Sequence, residues 1–368
     1  MKILVTGVQG FVGKNLLEHL RQNKDVTLYS ISRETNKHTA LKYIRESDVV
    51  FHLAGVNRPV NQEDFITDNL TLTEFIVTEL ERKEAPYQFH YASSTQAALN
   101  SPYGLSKKAA EDFLFNSVKE GQVFIYRFPG IFGKWCKPYY NSVVATFCHN
   151  TAHDIPLEIS DPSKILHLMY IDDVVKKMLD FSKAPFQKGK VLFADIRPVY
   201  EVSLDSLAKA LNSFKLSRET LMIPSVDDDF VKKLYSTYLS YLPINKFSYN
   251  LNLRTDERGS LFELLKTTGS GQIFVSTTHP GITRGNHYHH LKTEKFCVIA
   301  GDGVIRFRKI GTSEIIEYKV SGIDPQVLDI PPGYTHNITN IGTSEMITLF
   351  WANEIFNPEQ PDTFFEKV

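Results

Sequence analysis

Gly7, Gly10 and Gly13 are spaced GxxGxxG, directly after Thr6 and at the opening of a stretch that begins Phe11-Val12. Glycines there allow a tight turn and let the first N–H groups of a helix meet a pyrophosphate. A second set follows. Tyr103 and Lys107 stand four apart, one helical turn, so both project from one face, and Ser93, Ser94 and Thr95 precede them. A phenol with a reference pKa of about 10 is a poor proton donor or acceptor at neutral pH, and a neighbouring ammonium is expected to bring it toward the working range. Together these residues predict hydride transfer to a ketone. A hydroxyl from Ser94 or Thr95, with Ser94 preferred, binds the carbonyl oxygen; Tyr103 donates the proton; Lys107 supports the phenol and holds the nicotinamide ribose. Cofactor choice is set where the second strand ends. The chain has Ser32 and Arg33 there rather than an acidic residue, and Arg33 is placed to pair with a 2'-phosphate, which favours NADPH.

A different chemistry is written much later. His287, His289, Glu294 and His336 are ligand-type residues. His287 and His289 alternate on a strand and so share a side, while Glu294 and His336 converge from elsewhere in a β-structure. Three imidazoles and one carboxylate suit a single divalent ion of Zn, Fe, Mn or Ni alike, and of these zinc is the metal expected.

Short apolar runs alternating with amphipathic stretches must position the first set. Lys2–Val5, Thr27–Ile31, Asp48–Leu53, Gln88–Ala92 and Val123–Arg127 read as strands. Val12, Leu16, Leu17 and Leu20 recur at helical spacing, as do Leu72, Phe75, Ile76 and Leu80. This is the βαβ pattern of a parallel α/β sheet. Ser203–Phe214 and Asp227–Tyr241 read as helices. After Pro243 the texture changes to β-rich runs, Gln272–Thr277, Glu294–Ala300, Gly303–Lys309, Glu314–Val320 and Met346–Trp351, separated by Gly, Pro and Thr. An antiparallel barrel or jelly roll is expected there. The expected domains are 1–243, a cofactor-binding reductase, and 247–368, an all-β unit.

The chain has 368 residues, too many for one core as a rule. Lys and Arg total 41 against 42 Asp and Glu, a formal net charge of -1, which gives no electrostatic reason to bind nucleic acid or an anionic membrane. Cys136, Cys148 and Cys297 are scattered, without CxxC spacing, so a reducing cytoplasm is the expected setting. The opening apolar run is short and glycine-interrupted, unlike a signal sequence, and no membrane span or insertion is expected.

With TGVQGFVG and DVVFHLAG (Asp48–Gly55), the Ser94, Tyr103 and Lys107 set resembles the nucleotide-sugar branch of the extended short-chain dehydrogenase/reductase superfamily over roughly residues 1–215. RFPGIFG (Arg127–Gly133) and YIDDVV (Tyr170–Val175) look like further landmarks of that family. The resemblance implies a Rossmann-type doubly wound sheet, catalytic Ser94, Tyr103 and Lys107, and a cofactor held by Gly7, Gly10, Phe11, Val12, Gly13, Ser32, Arg33, Leu53, Ala54, Gly55, Tyr103 and Lys107. One departure is the short connection between Ser94 and Tyr103. Residues 247–368 resemble the cupins. The first motif, GxxxxxHxHxxxxExxxxxxG, is complete, and the second keeps PxGxxHxxxN but has Pro325 where a leading glycine is usual. DERGSLFE (Asp256–Glu263) and TRGNHY (Thr283–Tyr288) also look like segments of the metal-free nucleotide-sugar 3,5-epimerases, whose histidine takes a proton beside a ketone. His287 is therefore a metal ligand, a general base, or a ligand that once was a base.

The composite resembles the bifunctional capsular-polysaccharide enzymes of the CapF and WbjC type, on the route to UDP-N-acetyl-L-fucosamine. That resemblance implies epimerisation at C3 of a UDP-2-acetamido-2,6-dideoxy-4-hexulose by the cupin, then reduction of C4 with NADPH to UDP-2-acetamido-2,6-dideoxy-L-talose, by a homodimer. The competing expectation is an epimerase or dehydratase that retains its dinucleotide, beside a cupin that only binds sugar or mediates dimerisation.

Overall fold

The computed structural model describes residues 1–57, 61, 63–83 and 85–368. They group into two compact units, 1–211 with 233–242, and 212–232 with 243–368. Residues 212–232 lie before the expected boundary. They join the second unit because the Lys266 N–H donates to the Leu221 carbonyl at 2.7 Å and the Ile223 N–H donates to the Lys266 carbonyl at 2.9 Å, which adds a short backbone contact to a strand of that unit.

In the first unit β1 (Lys2–Thr6), β2 (Thr27–Ile31), β3 (Val49–His52), β4 (Gln88–Ser94) and β5 (Gln122–Phe128) are the five strands expected from the sequence, each within a residue or two. Beyond them come β6 (Gly130–Phe132), β7 (Ile165–Tyr170), β8 (Val191–Phe193) and β9 (Tyr200–Ser203). The main sheet is parallel in the order β2-β1-β3-β4-β5-β8, and β6-β7-β9 form a small second sheet. Side chains of a strand alternate between faces, and β1 and β3 follow this rule. Ile3, Val5, Val49 and Phe51 enter one core with the helices Phe11–Arg21 and Ile171–Ser182, while Leu4 and Val50 enter the other with Ile76, Leu80, Ala110 and Leu114. Each such side chain, fully buried, contributes about 1.5–3 kcal/mol. The order of the strands reverses between β1 and β3. In doubly wound sheets a ligand sits at the carboxyl ends of the strands at that reversal, which is where Gly7 and Leu53–Gly55 lie.

The second unit continues with β10 (Arg254–Asp256), β11 (Gly259–Thr267), β12 (Gly271–Thr278), β13 (Thr283–Tyr288), β14 (Glu294–Ala300), β15 (Asp302–Lys309), β16 (Ile315–Ser321), β17 (Val327–Ile330), β18 (Tyr334–Asn340), β19 (Met346–Ala352) and β20 (Phe364–Phe365). One sheet has the order β10-β11-β12-β19-β14-β17 and the other β16-β15-β18-β13-β20, with antiparallel pairing throughout. Phe296, Val298, Ile305, Phe307, Ile338 and Phe350 fill the core, drawn from both sheets. This is the jelly roll expected from the β-rich texture. No helix among the described residues is long and apolar enough to cross a membrane.

Candidate active site and metal centre

The glycine loop closes tightly against the end of β3. Gly7 has φ +71°, and a Cβ there would meet the Ala54 nitrogen and the Leu53 carbonyl carbon at 2.7 Å; a Cβ on Gly13 would lie 2.1 Å from the Gly7 oxygen. Only glycine permits this approach. The helix Phe11–Arg21 starts at Gly10 with no side-chain cap and no acidic residue in its first turn. Its leading N–H groups are thus left for an anion. Phe11 and Val12 pack their side chains on the core, so what they offer a cofactor is backbone. At the end of β2, the Ser32 N–H donates to Thr35 Oγ1 at 3.0 Å. Arg33 extends outward and donates to Asp68 Oδ2 at 2.8 Å.

The helix Pro102–Ser117 carries Tyr103 and Lys107. Ser101 caps it, accepting the Gly104 N–H at 3.1 Å, and a Cβ on Gly104 would meet the Gln96 carbonyl oxygen at 2.2 Å. That close approach presses the helix start onto the turn after β4. The Tyr103 phenol consequently meets the Ser94 hydroxyl. Thr95 faces away, its hydroxyl donating to the Phe128 carbonyl at 3.5 Å. Ser93 donates to Glu111, which also holds Arg127 in a two-pronged ion pair.

One expectation changes here. Burial pushes the Tyr103 phenol up, and the Ser94 hydrogen bond offsets this only in part. Lys107 is turned elsewhere. Its ammonium donates to the Ala92 carbonyl at 2.9 Å and sits 4.9 Å over the Tyr91 ring, while a Cβ on Gly55 would lie 3.2 Å from its Nζ. Burial drives Lys107 down to about 8, with Glu111 pulling partly back. A protonated phenol suits a proton donor, so the geometry fits reduction rather than abstraction.

Sequence reasoning missed a buried polar chain behind this site. The Ala54 N–H donates to Thr6 Oγ1 at 3.1 Å, Thr6 Oγ1 lies 2.8 Å from His52 Nδ1, His52 Nε2 lies 3.0 Å from Thr73 Oγ1, and Thr73 donates to the Asn69 carbonyl at 2.8 Å. Because Thr73 spends its proton on Asn69, His52 must donate from Nε2 and accept at Nδ1. Burial, then the charge of Lys107, hold His52 at about 3, hence neutral. Asn69, in a π-helical turn at Thr67–Thr71, accepts the Val56 N–H and donates to the Val56 carbonyl and to Ser106, which donates to the Tyr103 carbonyl. The chain thereby ties the end of β1 to the helix of Tyr103. The signal available was the polar His52 in an otherwise apolar strand.

In the second unit His287, His289, Glu294 and His336 converge, with one ligand atom from each within 4.8 Å of the others. β13 and β18 are paired so that His287 stands opposite His336, after a bulge at Gly285/His287. His287 and His289, two apart, turn to the same cluster, as strand alternation expects. The bulge, with Asn286 at φ +62°, re-aims the strand, and His289 lies just past its end. The Nδ1–H of His289 donates to the Asp362 carbonyl at 2.5 Å, and His336 Nδ1 donates to the Tyr334 carbonyl at 3.4 Å. The Nε2 lone pairs of both rings therefore face Glu294 Oε2, at 3.1 and 3.6 Å. His336 Nε2 is buried with no hydrogen-bond partner among the described residues. Acceptors facing one another among buried side chains call for a cation between them. Burial, then His336 and His289, push His287 down to about 3. The donor set fits zinc.

Residues 3–191 match the NAD dependent epimerase/dehydratase family, and residues 254–364 match the polysaccharide biosynthesis C-terminal domain. The chain is 43% identical to a UDP-2-acetamido-2,6-beta-L-arabino-hexul-4-ose reductase of Pseudomonas aeruginosa, over 99% of this chain and 98% of the relative. The crystal structure of the capsular polysaccharide assembling protein CapF from Staphylococcus aureus covers all of both chains at 42% identity with a TM-score of 0.92. A UDP-glucuronic acid 4-epimerase from Bacillus cereus, 18% identical, covers 66% of this chain and 98% of its own with a TM-score of 0.53, a likeness of fold alone.

Proposed function

Because this chain belongs to the NAD dependent epimerase/dehydratase family, we propose that it is a bifunctional nucleotide-sugar enzyme of capsular polysaccharide biosynthesis that epimerises C3 and reduces C4 of one UDP-2-acetamido-2,6-dideoxy-4-hexulose. The product is UDP-2-acetamido-2,6-dideoxy-L-talose. The observation that carries this reading is the approach of the Tyr103 phenol to Ser94, with the Lys107 ammonium against Gly55, in a chain whose other unit gathers three histidines and a glutamate. Gly7, Gly10, Phe11, Val12, Gly13, Ser32, Arg33 and Leu53–Gly55 would hold NADPH, which when bound would supply the hydride. Ser94 donates a hydrogen bond to the C4 oxygen, Tyr103 gives that oxygen its proton, and Lys107 holds the nicotinamide ribose.

His289, Glu294 and His336 are buried and His287 is partly exposed. We assign the four to one zinc ion, which when bound polarises the ketone oxygen. His287, the member open to solvent and held neutral, takes the C3 proton, whose acidity comes from the neighbouring ketone, only when its ring is off the ion, because a coordinated imidazole has no free lone pair. Proton removal beside a ketone is reversible, and reduction removes the ketone, so the second step draws the first forward. A second copy of the chain is the proposed partner, supported by Ile315, Ile316 and Tyr318, exposed on the edge strand β16. The free cysteines support a cytoplasmic setting. Turnover of the 4-keto sugar in deuterated water tests the reading. Product carrying one deuterium at C3, with one NADPH consumed per molecule, is expected; product without NADPH loss would point to an enzyme that retains its dinucleotide.

Two further outcomes follow from the first unit. Arg33→Ala should weaken NADPH binding and leave NADH binding nearly unchanged, because only NADPH has a 2'-phosphate to lose. The Arg33 side chain is 83% exposed and already paired with Asp68, so the loss is at the low end for a charged hydrogen bond, about 1.5 kcal/mol, roughly tenfold. Equal change in both affinities, measured by fluorescence titration, would remove Arg33 from cofactor choice. The second concerns pH. Lys107 loses its proton as pH rises through about 8, so kcat/KM for reduction should fall on the alkaline side of that value, since kcat/KM reports groups of the free enzyme. A profile flat to pH 10 would show that the charge of Lys107 is not needed.

A further inference from the structure

The segment Asp362–Lys367 is far from the metal cluster in sequence and against it in space. The backbone carbonyl of Asp362 accepts the Nδ1–H of His289. Its carboxylate accepts the N–H groups of His290 at 2.9 Å and of Leu291 and Lys292 at 2.7 Å. One residue thus holds both the ring of His289 and the loop that separates it from Glu294. Burial works against ionisation of that carboxyl, but the three N–H donors bring it down to about 2. The neighbouring positions are tied to the other ligand strands. Lys292 Nζ donates to Thr363 Oγ1 at 2.9 Å. β20 pairs with β13 through Phe365 opposite His287 and Phe364 opposite Tyr288. The Glu366 N–H donates to the Asn286 carbonyl at 2.9 Å, Thr335 donates to the Glu366 carbonyl, and Arg308 holds the Glu366 carboxylate at 2.8 Å. Asn286 precedes His287 and Thr335 precedes His336, so the segment touches every stretch that carries a histidine of the cluster.

We infer that the segment Asp362–Glu366 is the positioning element of the metal site, and that Asp362 in particular orients His289, so that zinc affinity is set by a strand that supplies no ligand. The partner of a ligating imidazole's second nitrogen fixes the tautomer and the direction of the ring, and its loss commonly costs about 10–100-fold in metal affinity. Asp362 acts twice in this sense, once through its carbonyl and once by holding the loop that keeps the carbonyl in place. The inference rests on the metal reading of the four-residue cluster.

The test uses the full chain, with zinc titrated against a chromophoric chelator and cobalt(II) substituted for its visible spectrum. Asp362→Ala, which keeps the backbone carbonyl but frees the 290–292 loop that holds it in place, should bind zinc about tenfold more weakly, the low end for loss of an outer partner, and change the cobalt bands as His289 loses its orientation. Asp362→Asn, which keeps an acceptor oxygen and nearly the same shape, should show a smaller loss of the same kind. Ile323→Ala, outside the segment and with its side chain 95% exposed, should leave both readouts unchanged. Wild-type affinity and an unaltered cobalt spectrum in Asp362→Ala would overturn the inference. So would a loss of affinity in Asp362→Asn matched by an equal loss of thermal stability of the metal-free protein, because the segment would then be holding the fold and not the ligand. A wild-type chain that takes up neither zinc nor cobalt would overturn the metal reading itself, and the inference with it.

Discussion

Tyr103→Phe is expected to lower the rate of C4 reduction by about 10²–10⁴-fold, the usual worth of a positioned acid, while exchange of the C3 proton with solvent continues. The phenyl ring keeps its packing beside Phe65, whose centroid is 6.1 Å away, so the fold and the cofactor loop should survive the change. Only the proton source beside Ser94 is lost. Because burial holds the phenol above its ordinary pKa, the wild-type group is protonated throughout the working range, and the defect should be nearly independent of pH below about 8, where Lys107 is still charged. Deuterium incorporation at C3, read by mass spectrometry, separates the two half-reactions. Reduction at a near wild-type rate would remove Tyr103 from the mechanism, and parallel loss of exchange would mean that the two chemistries are not carried by separate groups.

The parts of this molecule that local rules govern were readable before the structure. The glycine spacing at positions 7, 10 and 13 could be read because a turn from strand to helix needs glycine for steric reasons alone, and five of the six strands of the parallel sheet because of their apolar runs. The metal cluster was readable as a set of residue types. The shared side of His287 and His289 was readable from alternation as well, but the pairing of His287 with His336 was not, because the bulge at Gly285/His287 shifts the register. The direction of the Tyr103 shift was misjudged for a related reason: spacing on a helix places Lys107 on the same face, but the Ala92 carbonyl and the Tyr91 ring decide where its ammonium points. Asn69 went unseen because its contacts to Val56 and Ser106 depend on a π-helical turn. Asp362 lies 73 residues from the imidazole that it orients. Partners that distant are brought together by sheet pairing, not by local pattern.

His336→Ala should release the metal from the second unit and abolish C3 exchange, while the first unit still reduces a ketone that it accepts. His336 is fully buried, faces Glu294, and packs its ring 5.7 Å from that of Phe296. Truncation therefore removes a ligand and also opens a cavity, and His336→Gln, which retains most of the volume, distinguishes the two effects. Losing a direct ligand should weaken zinc binding by more than the about 10–100-fold that follows loss of an outer partner. It should also lower thermal stability in the presence of zinc, since whatever binds only the folded state stabilises it. Metal content and C3 exchange, measured together, then assign the roles. If zinc is lost and exchange with it, the ion is needed to polarise the ketone. If zinc is lost and the folded variant still exchanges, the ion is structural, and His287 or the nearby His290 does the proton transfer unaided. The companion variant His287→Ala completes the argument: zinc retained with exchange abolished makes His287 the base, and zinc lost makes it a ligand. Wild-type protein prepared without chelator and found free of metal would favour the metal-free epimerase chemistry of His287 over both.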